Sequence, residues 1–395
     1  MPYVAKNILQ QILESPILIV DDQEINLLFL EKTLRARGFT NLVTASSGEE
    51  ALEKLELFQP EMILLDVIMP HGMDGFSFCE ILRKQEKYKN LPILMQTSLA
   101  EPELRVKAFQ KGATDFVSKP VYPDELCARV KVHLESSHSM KALQLYKTRI
   151  EEELERAKQL QRAILPGIEE IEYIERRCKL SVASYFEPSL EIGGDFWGIR
   201  SIFPNQTAIW IVDFSGHGIA AALNAFRLQA YLKEYSSLAA RPGEYLSHLN
   251  DSLLHLLLRG QFATMFYGII DTQNNKLLYA CACAPHPIIL RKATGKAEIL
   301  DGSGPPLGTG MNICATQCTS FSAGDMLLLY SDTFTETPNK DGAYISEKQL
   351  MDLMERHCSA TPAAIKEIIL DFFNQHAGDA LRDDLTLAIC AQAIQ

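Results

Sequence analysis

No apolar run in this 395-residue sequence approaches the roughly 20 residues needed to cross a bilayer, and one of the longest, 253–258, is already broken by His255. Met1-Pro2-Tyr3-Val4-Ala5-Lys6 is not followed by an uninterrupted apolar segment with a small-residue cleavage site, so a cytoplasmic protein with no membrane association is expected. Basic residues are also scarce. The 38 Lys and Arg against 50 Asp and Glu give a net charge of -12, which opposes non-specific attraction to nucleic acid or anionic lipid. The C-terminal half carries no compact basic helix-turn-helix segment, so no nucleic-acid partner is expected. Paired cysteine spacing is missing too: Cys281 and Cys283 would share one face of a strand-like run, and Cys314/Cys318 lacks zinc-knuckle spacing. Free, buried thiols in a reducing compartment follow.

Hydrophobic residues make up 47% of the chain, enough for complete folding, and the length exceeds what one ordinary core accommodates. Two domains and a connector are expected, as 1–134, 135–166 and 167–395.

In the first domain, Pro16 to Val20 is apolar and ends in Asp21-Asp22, and Glu24 to Leu34 then has helical periodicity. Met62 to Leu65 ends in Asp66, Pro92 to Met95 ends near Thr97-Ser98, and Asp115 to Val117 precedes Lys119-Pro120. Strands alternating with helices imply parallel β-α units whose polar exits converge on the carboxyl edge of one sheet. Asp21, Asp22 and Asp66 would crowd together there, and a hard divalent cation, Mg2+ by its oxygen ligands, relieves that repulsion. Asp66 could then act as nucleophile toward a phosphoryl group, with Lys119 and Thr97 on the developing oxygens.

Residues 14–135 resemble the response-regulator receiver family through ILIVDD (17–22), LLDVIMP (64–70), QTS (96–98) and DFVSKP (115–120). The resemblance implies a flavodoxin-like fold with a parallel five-stranded sheet and phosphorylation of Asp66 by a sensor histidine kinase. It implies Asp21 and Asp22 as metal carboxylates, with the Ile68 carbonyl as a further ligand, Thr97 as the switch hydroxyl, Lys119 as the phosphate partner and Phe116 as the aromatic that tracks the state. The loop 70–75, Pro-His-Gly-Met-Asp-Gly, is one residue longer than is usual in the family.

From about Glu135 to Leu165 the chain is charge-rich and free of Gly and Pro, then stops at Pro166-Gly167. Leu143, Ile150, Ala157 and Ile164 recur every seven residues, with Tyr146 and Leu160 alongside, while Glu153 interrupts the seam. The stripe suits an imperfect coiled coil that joins two copies into a homodimer; an amphipathic helix packed on its own domain is the alternative.

Beyond Leu180, short apolar runs separated by turns predict mixed antiparallel sheets flanked by helices at about 219–235, 242–258, 346–356 and 362–375. Four acidic positions stand out: Asp195 after Gly193-Gly194, Asp213 before Ser-Gly-His-Gly (215–218), Asp332 after an apolar run, and Asp383-Asp384 before the last strand. Carboxylates gathered from such remote segments require cations, and a pair of Mg2+ or Mn2+ ions would also acidify water for attack on phosphorus.

Residues 165–395 resemble the PPM (PP2C-like) phosphatases, in the branch of sporulation and stress-response enzymes that act on anti-sigma-factor antagonists. The matching blocks are QLQRAILP (159–166), EIGGDFWG (191–198), VDFSGHGIAAAL (212–223), FATMFYGIID (262–271), PPLG (305–308), FSAGDMLLLYSD (321–332) and RDDLTLAI (382–389). The resemblance implies an αββα sandwich and two Mn2+ or Mg2+ ions. It implies Asp195, Asp213, Asp332 and Asp383 as catalytic metal ligands, with the Phe214 carbonyl as backbone ligand and Asp384 able to substitute or assist. The implied reaction is hydrolysis of phosphoserine or phosphothreonine on a regulatory protein. Two departures bear on activity: Thr333 replaces a glycine and would resist a positive φ, and Cys283-Ala284-Pro285-His286 replaces NAGH. A non-catalytic, phosphorylation-controlled binding module is therefore a second reading, and a phosphatase for a small nucleotide a third.

Overall fold

Ile17–Val20 is apolar at every position, and a strand of that kind must be covered on both faces. The computed structural model describes residues 9–70, 72–97, 102–189, 192–216, 218–234, 238–300, 304–311, 315–377, 381 and 383–393, and it divides the chain into two units, Met1–Ile150 and Glu151–Gln395. In the first unit β1 (Ile17–Val20), β2 (Leu42–Ala45), β3 (Met62–Asp66), β4 (Ile93–Thr97) and β5 (Asp115–Ser118) form a parallel sheet in the order β2-β1-β3-β4-β5. After a short helical stretch at 9–14, the longer helices in chain order are α1 (Glu24–Ala36), α2 (Gly48–Leu57), α3 (Gly75–Arg83), α4 (Pro102–Gln110) and α5 (Pro123–Arg162). The side chains of β1 alternate. Leu18 and Val20 pack with α2 and α3, whereas Ile17 and Ile19 pack with α1 and the start of α5. Capping fixes two helix starts: Ser47 accepts the Glu50 amide ahead of α2, and Asp74 accepts the Ser77 amide ahead of α3.

The second unit holds two antiparallel five-stranded sheets. One has the order β13-β10-β9-β8-β7, from β7 (Phe196–Phe203), β8 (Gln206–Phe214), β9 (Ala263–Asp271), β10 (Lys276–Ala282) and β13 (Gln317–Ser320). The other has the order β12-β11-β14-β15-β6, from β6 (Leu180–Glu187), β11 (Ile288–Arg291), β12 (Lys296–Ile299), β14 (Met326–Tyr330) and β15 (Leu385–Gln392). Its helices are α6 (Ile168–Cys178), α7 (Ile219–Glu234), α8 (Pro242–Leu254), α9 (Thr333–Glu336), α10 (Glu347–Arg356) and α11 (Pro362–Ala377).

Period-two alternation assigns each strand face to a layer. Ala208, Trp210 and Val212 of β8 pack with α7 and α8, while Ile209 and Ile211 meet Leu327, Leu329, Ala388 and Cys390 from the other sheet. Leu328, Tyr330, Leu387 and Ile389 turn outward onto α10 and α11. The result is the αββα arrangement, and the strands read as continuous apolar runs because both faces are covered.

Several elements differ from the sequence expectation. The helix expected from about residue 135 begins at Pro123 and ends at Arg162, so Ile164 of the heptad stripe lies beyond it, half-buried against the second unit's core. Leu143, Tyr146 and Leu160 are more than 60% exposed, and no core of their own unit covers them. Edge strands β12 and β13 escape the pattern because they are short and largely polar. Cys281 and Cys283 do not share a strand face: β10 ends at Ala282, and Cys283 is exposed with a left-handed φ of 57°. Cys79, Cys127, Cys178, Cys281 and Cys390 are buried free thiols, and Cys314 lies outside the described residues.

Candidate active sites

In the first unit the ends of β1 and β3 bring Asp21, Asp22 and Asp66 together, with one carboxylate oxygen from each lying within 4.8 Å of the others. Lys119, just beyond β5, bridges the cluster with Nζ 3.0 Å from Asp21 Oδ2 and 2.8 Å from Asp66 Oδ2. Asp21 is fully buried and accepts hydrogen bonds from the Gln23 amide and the Asn26 side chain. Burial pushes the Asp66 carboxyl above its ordinary value against the pull of Lys119, and the neighbouring Asp21 charge adds to the rise. Burial works against the Lys119 ammonium, but its bonds to Asp66 and Asp21 outweigh that and raise it.

This donor set fits a divalent cation. Asp22 Oδ1 is buried with no hydrogen-bond partner in the protein, and three hard oxygen donors face one small volume. Asp21, Asp22, Asp66 and the Ile68 carbonyl are the candidate ligands for Mg2+. The Ile68 backbone opposes the rise in the Asp66 carboxyl. Gly75 closes the loop behind Asp66, where a Cβ would come within 2.2 Å of the Asp66 carbonyl oxygen. Thr97 is buried at the end of β4, and its carbonyl accepts the Lys119 amide. Phe116 lies under the Arg105 guanidinium, 4.8 Å from its ring centroid, and edge-on to Phe109.

In the second unit Asp195 is buried and Asp213 half-buried, and the Asp213 charge opposes ionisation of Asp195. Burial, then the charges of Asp213 and Asp384, push Asp195 well above the ordinary carboxylate range. Burial and the Asp332 charge raise Asp213 to about 7, and burial with Glu336 and Asp383 raises Asp332 to about 6. Four remote segments are thus in electrostatic contact. Their chemistry suits cations, which would relieve the repulsion. Among the described residues, however, no three acidic, His or Cys residues of this unit each bring a ligand atom within 4.8 Å of the others.

The adjacent aspartates separate. Asp383 is exposed, whereas the 2%-exposed carboxylate of Asp384 is spent on backbone. Its Oδ1 accepts the Ser189 amide at 2.8 Å, and its Oδ2 accepts the Gly194 and Asp195 amides at 2.6 and 3.2 Å. Gly193 must lack a side chain, since a Cβ would lie 1.8 Å from Asp384 Oδ2. Asp384 therefore shapes the Asp195 loop, while Asp383 Oδ1 accepts the Asp384 amide at 2.9 Å and its charge raises Asp213 and Asp332. Phe214 is buried at the end of β8 beside Asp213.

Thr333 does not occupy a positive φ. It begins the short helix α9 and is absent from the left-handed residues, so the expected strain does not arise. Its buried hydroxyl donates to the Asp384 carbonyl at 2.5 Å, beside the Ser331 hydroxyl at 3.0 Å. In the segment replacing NAGH, His286 Nδ1 lies 3.1 Å from Glu347 Oε1. His71, Ser98, Glu191, His217 and Arg382 lie outside the described residues.

Three contributing residues were not singled out from the sequence. Asn26 holds Asp21, Thr386 donates to Asp195 Oδ2, and Gln161 bonds Gly193. Gln161 and Thr386 lie inside the matching blocks QLQRAILP and RDDLTLAI, where an uncharged polar residue in an apolar setting was the available signal.

Comparison with known proteins agrees with this division. Residues 204–392 match the family described as Stage II sporulation protein E (SpoIIE), and residues 17–131 match the response regulator receiver domain. Alkaline phosphatase synthesis transcriptional regulatory protein PhoP of Bacillus subtilis is 42% identical over 121 residues, covering 31% of this chain and 49% of its own. Transcriptional regulatory protein YvrH of the same organism is 34% identical over 125 residues, 32% of this chain and 51% of its own. The chain thus spans about half the length of these relatives. The SiaA-PP2C domain of Pseudomonas aeruginosa superposes with a TM-score of 0.54 at 20% identity, covering 62% of this chain and 98% of that domain, and shares its fold. No helix among the described residues is long and apolar enough to cross a membrane.

Proposed function

This chain is a response-regulator receiver domain fused to a PP2C/SpoIIE-like phosphatase domain, and from that premise we propose that it is a metal-dependent protein serine/threonine phosphatase controlled by phosphorylation of Asp66. The observation that carries the reading is the grouping of buried Asp195 with half-buried Asp213, both raised by desolvation and by the acidic residues Asp332, Asp383 and Asp384. Such a set is costly to hold in a protein unless it serves chemistry. Asp195, Asp213, Asp332, Asp383 and the Phe214 carbonyl would hold two Mn2+ or Mg2+ ions, and Asp384 would hold the Asp195 loop. Bound there, the cations would supply Lewis-acid polarisation of water for attack on a phosphoseryl or phosphothreonyl group. Thr386 orients the Asp195 carboxylate through its hydroxyl.

In the receiver, Asp66 accepts the phosphoryl group from a sensor histidine kinase while Lys119 neutralises its oxygens. The connector 135–166 passes the change on to the phosphatase domain by biasing an existing equilibrium. The exposed Leu143, Tyr146 and Leu160 support a homodimer seam along α5. The substrate class is a Ser/Thr-phosphorylated regulatory protein of the anti-sigma-factor-antagonist kind.

A second reading, a binding module without hydrolysis, is favoured by one observation: among the described residues no three acidic, His or Cys residues of the second unit each bring a ligand atom within 4.8 Å of the others. Manganese-dependent turnover of a phosphoseryl protein by the full chain separates the two. The hydrolytic reading expects release of inorganic phosphate and at least a ~100-fold loss in Asp213→Asn. No turnover by the wild type, with binding unchanged in Asp213→Asn, overturns it.

A further inference from the structure

We propose that Gln161, in the last turn of α5, is a positioning residue that sets the place of Asp195. Gln161 is 1% exposed, and its carboxamide forms a reciprocal pair with one residue: Nε2 donates to the Gly193 carbonyl at 2.8 Å, and Oε1 accepts the Gly193 amide at 3.2 Å. On the other side of the loop, Asp384 takes the next two amides, those of Gly194 and Asp195. Gly194 is also wedged, since a Cβ there would lie 2.9 Å from the Ala221 side chain and 3.1 Å from the Phe214 carbonyl. The backbone leading into Asp195 is thus held between the residue that leads into β15 and a residue of α5.

The two clamps differ in what they are attached to. Asp384 precedes a fully buried strand. Gln161 sits where a largely exposed helix meets the core: 151–156 are almost wholly exposed, whereas Ile164 and Leu165 pack into it and the Ile164 carbonyl accepts from Gln229. A helix advances 1.5 Å and turns 100° per residue. A small rotation or slide of this last turn therefore breaks the geometry of a bidentate pair, whose two bonds must be satisfied together. A buried carboxamide without its partners is costly, so the turn and the loop move as one body. Sequence spacing alone gives no hint of the pairing, because 32 residues separate the partners.

The inference rests on the phosphatase reading for its consequence, the hold on divalent cations, but not for the clamp itself. The test uses the full-length chain carrying Asp22→Asn, so that cation uptake reports on the second unit. Gln161→Ala removes the pair, and Gln161→Met removes it while keeping the buried volume, so that lost packing is separated from lost hydrogen bonding. Exposed Gln159→Ala is the control on the same helix. Two quantities are measured: amide hydrogen exchange at Gly194 and Asp195, whose acceptor is Asp384 and not Gln161, and Mn2+ affinity by calorimetry. Both Gln161 variants are expected to speed exchange at these amides at least tenfold and to weaken Mn2+ about tenfold, with Gln159→Ala within twofold of the parent. Parental exchange at Gly194 and Asp195, or parental Mn2+ affinity in a variant with fast exchange, overturns the proposal. Fast exchange in both variants of a chain that takes up no Mn2+ supports the clamp and sinks the hydrolytic reading instead.

Discussion

The Thr386 hydroxyl donates to Oδ2 of Asp195 at 2.8 Å, tying the first turn of the last strand to a loop 191 residues earlier. Both groups are buried, so Thr386→Val leaves a carboxylate oxygen without its donor and is expected to destabilise the chain by about 1–3 kcal/mol. Thr386→Ser keeps the hydroxyl and is expected to recover most of that loss. Urea unfolding of the three proteins, followed by fluorescence from Trp197 and Trp210 in the same unit, measures both.

The raised carboxyls of Asp213 and Asp332 give stability a defined pH slope. Their folded values of about 7 and about 6 lie above the ordinary 3.8, so between these limits the folded chain binds more protons than the unfolded one. Their stabilising contribution is complete below about pH 4 and is lost as pH rises through 6 and 7. In chelator, the second unit is therefore expected to melt at lower temperature at pH 8 than at pH 5.5, and added Mn2+ to reverse the trend. Calorimetric scans with Asp213→Asn alongside check it, since that variant should flatten the slope. A melting temperature that climbs with pH in chelator contradicts the account.

Lys119 is the one cation that bridges Asp21 and Asp66 among the described ion pairs. Lys119→Met leaves two buried carboxylates facing each other, at an expected cost of about 2–4 kcal/mol without added cation and less with Mg2+. Asp66→Asn is expected to abolish phosphoryl uptake from acetyl phosphate, detected as the missing mass increment of the intact protein. Uptake retained in Asp66→Asn would move the phospho-acceptor elsewhere.

Thr333→Gly installs the glycine that the phosphatase resemblance leads one to expect, yet a loss is expected. The change deletes the hydroxyl that donates to the Asp384 carbonyl and places glycine at the start of α9. A decrease of about 1–3 kcal/mol is expected from the broken bond and the added backbone freedom, with no rise in turnover. Denaturant titration and phosphate release on the same preparation test both halves.

Gly75→Ala probes the opposite end of the chain. A methyl group there would press on the Asp66 carbonyl oxygen, which is backbone and cannot turn aside. The expected loss is about 2–4 kcal/mol, accompanied by slower phosphoryl uptake. An alanine variant with unchanged melting and phosphorylation would show that the α3 start has room to shift.

Much of this was legible because burial leaves a local mark. The runs ending in Asp21-Asp22, Asp66 and Lys119-Pro120 are the strands of the parallel sheet, and the turn at Asp271 follows from a carboxylate that accepts the Gln273 and Asn274 amides. The edges were not legible: β12 and β13 are short and polar, so nothing in their composition separates them from loop. Thr333 illustrates a different limit. The glycine it replaces suggested a positive φ, but conformation at that point is set by the hydrogen bonds of the turn, which a threonine can also make.

What the amino-acid order determined alone is the succession of apolar runs and helical periodicities, and with it the two units and the acidic residues at their strand ends, because those patterns depend on neighbours within a few positions. Tertiary structure decided which of two adjacent aspartates turns inward: Asp384 is consumed by three backbone amides while Asp383 is exposed, although nothing local distinguishes them. It also decided that Gln161 and Thr386 reach the loop and carboxylate of the Asp195 region. Hydrogen-bond partners so distant in sequence are selected by the packing of sheets and helices, and only the folded chain brings them within 3 Å.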